Sequence, residues 1–280
     1  VNGKKKQVKK TFEELLQDLK TNNSEKVRYN AARMFGEMGD AKAVEPLIDV
    51  LKSDKNGSVR LYAARALGEL GDSRATTHLI DSLRNDRNVD VRVRAARALG
   101  KLGGEIVVEP LVEALNDENP QVCITATDAL IEIGDVATDA LMASLDHEKV
   151  NVRCDATRAL GEIGNKKAVD KIISMLYDEW VNVRIYAVTS LGKLNDTKAV
   201  PALIDVMKNT EENELVRAGA AAALGVLRDT RALLPLRELI MDAEELGELE
   251  DTALKSFKKI MAANWQSIPG ASVQKKVATV

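Results

Sequence analysis

One phrase of about 31 residues recurs along almost the whole chain, and this repetition limits what the chain can fold into. The clearest copies read SVRLYAARALGELGD at 58–72, DVRVRAARALGKLGG at 90–104 and NVRCDATRALGEIGN at 151–165. A unit this short cannot bury its apolar face alone, so it must stack against its neighbours. The repetition therefore predicts a solenoid whose core lengthens with every unit.

Each repeat reads as two helices, here called its first and second helix. In the second repeat, apolar residues at helical spacing run from Val44 to Leu51, and a Ser-Asp-Lys-Asn-Gly-Ser turn follows. The second helix then carries a stripe that we expect to be buried, made of Val59, Ala63, Ala66, Leu67 and Leu70. Gly71 predicts a left-handed helix end, and Asp72 can cap the next segment. The pattern predicts an all-α fold, an alpha-alpha superhelix (a right-handed solenoid) of about eight helix pairs between residues 11 and 264.

A glycine recurs inside the second helix at one fixed phase. It is found at Gly36, Gly68, Gly100, Gly161, Gly192 and Gly225. Glycine in a helix interior costs about 0.8–1 kcal/mol relative to alanine. Its recurrence at one phase therefore predicts a close backbone approach between adjacent layers.

Several residues resemble the HEAT-repeat superfamily, and in particular its short phycobilisome-lyase-type repeat. An aspartate lies six residues before the repeated arginine in the pairs Asp54/Arg60, Asp86/Arg92 and Asp178/Arg184. Pro46 lies eight residues before Asp54, and the Val-Arg…Ala-x-Ala-Leu-Gly phrase completes the likeness. The resemblance covers residues 11–243 and implies the same helical solenoid.

The resemblance also implies a hydrogen-bonded ladder between layers, in which the arginine fork bridges carboxylates. Its members would be structural and comprise Asp54, Arg60, Asp86, Arg92, Arg153, Asp178 and Arg184. Asn22, His147 and Glu211 stand at the aspartate position of three other repeats. The fourth repeat has Cys123 at the arginine position and Ile131 at the glycine position, so we expect the ladder to be interrupted there.

Domain boundaries follow from the ends of the repeat pattern. We expect a basic extension over 1–10, crowded with Lys4, Lys5, Lys6, Lys9 and Lys10. The solenoid then covers 11–264, with an N-terminal cap repeat at 11–40, central repeats at 41–230 and a C-terminal cap repeat at 231–264. Cap repeats are expected because the ends of a stack need an atypical outer face. An acidic stretch at 242–250 would form a solvated connection, and 265–280 would form an extended tail.

Composition and motifs argue against several functions. The net charge of −3 is unlike that of a dedicated nucleic-acid binder. Cys123 and Cys154, one repeat apart, are too distant for a disulfide, which favours reduced thiols and a cytoplasmic location. No apolar run is long enough to cross a bilayer. The single His-Glu pair, His147-Glu148, is too little for a metal site, so we expect no metal, no cofactor, no catalytic residue and no enzyme activity.

The surface with most promise is the concave side, which second helices usually line in HEAT-type solenoids. Its predicted partner-binding residues are Arg33, Tyr62, Arg65, Arg94, Arg97, Arg158 and Tyr186. Arginines with a glutamate four residues later are common on any solvated helix face. Arg97 instead precedes Lys101 and follows Arg94, so the third repeat has no local acid to balance it.

We therefore expect a non-catalytic interaction scaffold that binds a protein or an acidic peptide segment along this groove, with Tyr62 as an anchor. Two alternatives stay open. One is a subunit of a lyase or chaperone-like complex that handles a prosthetic group, and the other is nucleic-acid binding through the basic extension and groove. No membrane partner is expected, and a monomer is favoured.

Overall fold

The computed structural model describes residues 10–241 and 247–265, which form two compact units, before and after the boundary between residues 137 and 138. Most of the predicted basic extension lies outside the described residues, as do 242–246 of the acidic connection and 266–280 of the tail. The two units are described separately.

The first unit contains four helix pairs. In chain order its helices are α1 (Phe12–Thr21), α2 (Glu25–Met38), α3 (Val44–Ser53), α4 (Gly57–Leu70), α5 (Thr76–Asn85), α6 (Val89–Leu102), α7 (Val108–Glu113) and α8 (Pro120–Ile133). Each even-numbered helix is the second helix of its repeat and packs on its own first helix. Single turns of 3₁₀ helix connect one pair to the next.

The second unit contains four more pairs of the same kind. Its helices are α9 (Thr138–Ser144), α10 (Val150–Ile163), α11 (Val169–Met175), α12 (Val181–Leu194), α13 (Val200–Lys208), α14 (Glu214–Leu227), α15 (Leu233–Met241) and α16 (Glu248–Asn264). Neither unit has a strand among its described residues. The predicted all-α fold of about eight helix pairs is confirmed.

Local polar contacts begin and end the helices where the turn residues predict. The side chain of Asn56 accepts hydrogen bonds from the N–H groups of Ser58 and Val59 at the start of α4. Gly71 ends α4 with φ at 67°, a left-handed conformation that glycine adopts without steric cost. Asp72 then accepts a 3.0 Å bond from the Arg74 N–H and starts the next segment, as predicted.

Two stripes of apolar residues make the core of each repeat. Val59, Ala63, Ala66 and Leu67 of α4 are buried as predicted, whereas Leu70, next to the closing turn, is half-buried. Leucines at one position of the first helices face them and are fully buried, namely Leu47, Leu79 and Leu111. Small and unbranched side chains at these positions allow the helices to pack closely.

The helix glycines mark close contacts between successive second helices, as the sequence predicts. A Cβ atom added to Gly68 would lie 2.7 Å from the Ala98 Cβ and 2.9 Å from its Cα. A Cβ on Gly161 would lie 2.5 Å from the Ser190 Cβ. Gly192 has more room, since its nearest neighbour would be the Ala223 Cβ at 3.4 Å. Alanine is therefore disfavoured at the tight positions, because its Cβ would overlap the next layer.

Within each unit, successive second helices contact each other far more extensively than successive first helices do. The second helices therefore lie closer together and form the inner side of each unit. This is the side on which the predicted partner-binding residues lie.

Candidate functional site

Arginines at one position of the second helices join successive repeats of the first unit. Arg60 donates from Nε and Nη2 to the two carboxylate oxygens of Asp86, both at 2.7 Å, and from Nη1 to the Asp54 carbonyl at 2.8 Å. Arg92 makes the equivalent pair of bonds to Asp117, both at 2.9 Å. Arg28 binds Asp54 in the same bidentate way. Each fork thus joins the turn of its own repeat to the turn of the next.

The second unit repeats this arrangement in part, since Arg217 of α14 donates from Nε to the Met207 carbonyl at 3.0 Å instead of to a carboxylate. Arg153 donates to both carboxylate oxygens of Asp178, at 2.8 and 3.0 Å. Arg184 has a single carboxylate bond, from Nη2 to Glu212 at 2.8 Å, and its buried Nε has no hydrogen-bond partner.

The sequence-based assignment of Glu211 to the aspartate position was therefore wrong. The turn between α13 and α14 is two residues longer than the turns of the first three repeats. Its tight bend is made by Asn209, whose side chain accepts from the Glu211 N–H at 3.1 Å. This shifts the carboxylate that reaches Arg184 by one residue, to Glu212. A longer side chain arriving from a shifted position satisfies one nitrogen of the fork instead of two.

Where another residue replaces the aspartate of a repeat, its backbone carbonyl still accepts a hydrogen bond from the ladder arginine. Arg28 and Arg153 donate to the carbonyls of Asn22 and His147, each at 2.9 Å, because a carbonyl is present whatever the side chain. At the arginine position of the fourth repeat, the Cys123 thiol donates to the Asp117 carbonyl at 3.3 Å. A thiol has no fork, so it cannot bridge two carboxylate oxygens.

Three ladder carboxylates, Asp54, Asp86 and Asp178, are held in their charged form. Burial alone would raise the pKa of Asp86, but the hydrogen bonds from Arg60 and from the Asn88 N–H outweigh it and lower the pKa below its ordinary value. The same balance lowers the pKa of Asp54 and of Asp178. These groups are buried and mutually satisfied, and so they hold repeats together and are not available to a partner.

A basic cleft opens on the inner side of the first unit, between α4 and α6. Its charged lining residues are Arg65, Glu69, Arg94, Arg97 and Lys101, and it encloses about 330 Å³. Gly68 and Ala98 form part of its lining. Because these two residues are small and in close contact, the long basic side chains project around them. We refer to this site as the basic cleft.

The charges of the basic cleft are unevenly paired. Arg65 donates from Nε to Glu69 at 2.7 Å. In the described part of the chain, no ion pair involves Arg94, Arg97 or Lys101. Three cations therefore face the cleft against one carboxylate, which already has a partner. Such a cleft favours an anionic ligand.

Two other predicted residues of the first unit lie on the same side but already have partners. Arg33 forms an ion pair with Glu37. Tyr62 stacks on Tyr29, with ring centroids 5.1 Å apart and planes inclined by 19°. Sequence reasoning missed Tyr29, because it occupies a half-buried position next to the ladder arginine. Tyr62 therefore belongs to a fixed aromatic pair and is not an isolated anchor.

Arg158 and Tyr186 belong to the second unit, so the basic cleft is built without them. Arg158 is half-buried on α10, and Tyr186 is exposed on α12. The exposed charges nearby are balanced within the unit, since Lys193 of α12 donates to Glu162 of α10 at 2.5 Å. Among the described residues of α10 and α12, no cluster of cations without ion pairs corresponds to Arg94, Arg97 and Lys101.

The remaining chemistry-bearing groups offer little reactivity. Burial, helped by the nearby Asp155, raises the pKa of the Cys154 thiol to about 11, which disfavours the nucleophilic thiolate. His147 accepts from the Lys149 N–H through Nδ1 and so serves its own turn. The described residues contain no cluster of ligands suited to a metal ion. Within the same residues, no helix combines the length and apolar content needed to cross a membrane.

These observations define a class of protein, an all-α repeat protein whose stacked helix pairs are joined along one edge by arginine–carboxylate bonds. The sequence profile for HEAT repeats matches overlapping stretches of the chain, at 12–100, 76–150, 108–183, 138–225 and 170–256. The chain therefore belongs to the HEAT-repeat family, as the sequence predicted.

Solved structures are similar to this chain at low sequence identity, and the karyopherin structure, with a TM-score above 0.5, shows the same fold. The karyopherin Kap121p, bound to the extreme C-terminus of the protein phosphatase Cdc14p, is 14% identical, with a TM-score of 0.66 over 95% of this chain and 35% of its own. The CpcE–CpcF complex of phycocyanin lyase from Nostoc sp. PCC7120 is 23% identical, with a TM-score of 0.46. The match covers 93% of this chain and 99% of that one. Human deoxyhypusine hydroxylase is 22% identical, with a TM-score of 0.41, and the match covers 89% of this chain and 95% of that one. No curated protein matches the sequence. At these identities the likeness concerns the fold alone.

Proposed function

We propose that this chain is a non-catalytic scaffold that binds an acidic peptide segment of a partner protein in the basic cleft. The observation that carries the proposal is the set of three unpaired cations, Arg94, Arg97 and Lys101, around one cleft of the inner side. Arginine suits this role because its planar fork binds carboxylates in a bidentate way and is enriched at binding hot spots.

The cleft is suited to a chain segment more than to a compact small molecule. It lies open between two parallel-running helices and is lined by long side chains, with a small-residue contact between Gly68 and Ala98. Arg94, Arg97 and Lys101 follow each other along one face of α6, at spacings of three and four residues. A segment with several carboxylates lying along α6 would meet them in turn. A HEAT solenoid can hold a terminal peptide, as the Kap121p complex illustrates for its own partner.

Glu69 sets the strength of this site. By accepting from Arg65 it neutralises one of the four cations and competes with a ligand carboxylate for the same fork. Replacing Glu69 with Gln would leave the side-chain shape similar and free Arg65. Affinity for acidic peptides should then increase.

The proposal is tested by selecting binding peptides from a random display library with the whole chain as bait. We expect peptides rich in Asp and Glu, whose affinity falls as salt screens the attraction. An Arg94→Glu/Arg97→Glu variant should lose them. The matched control is Lys55→Glu/Arg87→Glu, which makes the same charge change at two exposed turn residues of the same unit.

If the acidic peptides bind the Arg94→Glu/Arg97→Glu variant as tightly as the native chain, the basic cleft is not their site. If both double variants lose binding equally, the effect is one of net charge and the cleft has no special role. Filter binding with single-stranded DNA runs beside these assays. A tighter, steeply salt-dependent interaction with DNA that depends on Arg94 and Arg97 would replace the peptide proposal by a nucleic-acid one.

A further inference from the structure

The turn of the sixth repeat carries an exposed tryptophan where other repeats carry a capping residue. Asn56, Asn88 and Asn119 of the first unit, and Asn213 of the second, begin their second helices with a side chain that accepts backbone N–H bonds. Trp180 holds this position at the start of α12 and makes no side-chain cap. Ser24 and Lys149 make none either, but both are small or polar and cost little in water.

Trp180 receives little packing in return for the lost cap. Its side chain is 52% exposed, and Tyr177, three residues earlier in the same turn, is 67% exposed. Tryptophan buries a large area where it stabilises a fold, and it is enriched at binding hot spots. The loss of a cap combined with the exposure of a large apolar ring points to a binding role for this turn.

Hydrogen bonds within the turn position both the backbone and the indole of Trp180. The Trp180 N–H donates to Asp178 at 2.9 Å, and Asp178 is anchored in turn by the fork of Arg153. The indole Nε1 donates to Glu179 at 3.0 Å, while the Glu179 side chain is 77% exposed and lies 3.6 Å from Arg153 Nη2. A partner that stacks on this ring therefore loses little free energy in ordering it.

The surroundings of Trp180 are acidic. Ladder bonds from Arg153 and Arg184 join the turns of the fifth, sixth and seventh repeats into one edge of the second unit. Four exposed carboxylates lie on these turns, Asp146, Glu148, Glu179 and Glu211, of which Asp146 pairs with Lys171 of α11. Lys149 is the single lysine or arginine among the turn residues. An exposed ring among carboxylates attracts a cation, which can stack on the indole face while the carboxylates accept its hydrogen bonds.

We propose that this edge is a second binding site, specific for a lysine- or arginine-containing segment of a protein partner, with the cation stacked on Trp180. Its charge preference is the opposite of that of the basic cleft. Its residues belong to the second unit and those of the cleft to the first, so the two proposals stand independently. A scaffold with both sites would bind an acidic segment at one place and a basic segment at another.

The test uses the same peptide selection on the whole chain, read with variants of Trp180. Trp180→Asn installs the capping residue of the other repeats, so folding is not at risk, and Trp180→Phe keeps an aromatic face. We expect a pool rich in Arg and Lys whose affinity falls roughly 3- to 30-fold in Trp180→Asn and less in Trp180→Phe. The Arg94→Glu/Arg97→Glu variant should bind this pool as well as the native chain does.

A pool without enrichment in basic residues overturns the proposal, and so does a basic pool that binds Trp180→Asn with native affinity. If basic peptides fail to be selected while acidic peptides still bind the basic cleft, only the proposal for Trp180 fails. The failure of this proposal and the failure of the proposed function are therefore distinguishable. Fluorescence supplies a second readout. The chain has two tryptophans, and Trp265→Phe leaves Trp180 as the single reporter. Its emission should shift to shorter wavelength when a synthetic basic peptide binds, and an unchanged spectrum at saturation would count against stacking.

Discussion

Helix α6 carries arginines with two different environments only a turn apart. Arg92 is 7% exposed and holds both oxygens of Asp117, whereas Arg94 and Arg97 line the basic cleft without an ion pair among the described residues. The difference lies in the neighbouring repeat and not in the arginine. At Arg92 the next turn supplies a carboxylate that accepts from both sides of the fork, whereas no described carboxylate forms an ion pair with the other two arginines. One residue type thus holds repeats together at one phase of the helix and is free for a ligand at another.

A similar comparison can be made between the turns that carry the ladder carboxylates. In the first unit the capping position holds Asn56, Asn88 and Asn119, and the turns stabilise the helices that follow. In the second unit Trp180 replaces that cap. Because the ladder already fixes this turn through Asp178, the position can give up its cap and still keep its conformation.

The largest expected effect separates the two kinds of arginine on α6. Arg92→Ala removes both bonds from the guanidinium to Asp117, whose side chain is only 12% exposed, and leaves this carboxylate without a counter-charge, held by the Asn119 N–H alone. Breaking such a pair costs about 3–5 kcal/mol. Arg94→Ala, a substitution on the open cleft, should change the free energy of unfolding by less than about 0.5 kcal/mol. Urea unfolding followed by circular dichroism measures both, and equal losses would erase the distinction drawn between them.

Acid should weaken the ladder without any mutation. The pKa values of Asp54, Asp86 and Asp178 lie below their ordinary value of 3.8 in the folded chain. Their contribution is therefore complete above the unfolded pKa and is lost as the pH falls through the folded one. The urea midpoint should stay level down to about pH 5 and fall below about pH 4.

A variant gives this pH dependence an internal control. In Arg60→Met, Asp86 keeps its burial and the bond from the Asn88 N–H, but it loses the hydrogen bonds and the charge of Arg60 that lower its pKa. Burial then raises the pKa of Asp86 relative to its value in the native chain, so the variant should lose less stability in acid. The gap between the two urea midpoints should narrow as the pH falls. A gap that stays constant would show that the Arg60–Asp86 pair does not control the acid response.

The sequence predicts the repeat positions well because they obey one geometric rule. The glycine phase predicts where second helices touch, and Gly68 and Gly161 have the expected close neighbours. The unpaired charge around Arg94 and Arg97 can also be read from the sequence, since Lys101 takes the place of the usual glutamate. Irregular turns are harder to predict. The longer turn before α14 moved the ladder carboxylate from Glu211 to Glu212, and no local pattern signals that shift.

Contacts between layers are also hard to predict when they join positions that are not equivalent in the two repeats. The Tyr29–Tyr62 stack joins two helices at positions that are not equivalent within the repeat. The position of Trp180 at the capping site follows from aligning the repeats, but its exposure depends on how the turn is fixed by Asp178.

A glycine pair compares tight and loose layer contacts. In Gly68→Ala the new methyl group would lie 2.7 Å from the Ala98 Cβ, which should cost about 1–3 kcal/mol through overpacking. In Gly192→Ala the nearest atom is 3.4 Å away, so the gain in helix propensity, about 1 kcal/mol, should prevail. The two variants should therefore move the urea midpoint in opposite directions. A shift of the same sign in both would mean that the spacing of the layers adjusts freely.

The smallest expected effect is a gain in the free energy of unfolding, and it tests the turn of the sixth repeat. Trp180→Asn restores the side-chain cap seen at Asn88, and gaining such a cap is worth about 1 kcal/mol. The ladder bond from Arg153 to Asp178 does not involve the indole, so it should persist. The converse variant, Asn88→Trp, should lose about the same amount. If Trp180→Asn instead destabilises the chain, the indole stabilises the fold, and its exposure needs no partner to explain it. If the variant is more stable and no longer binds basic peptides, this turn has given up stability for recognition.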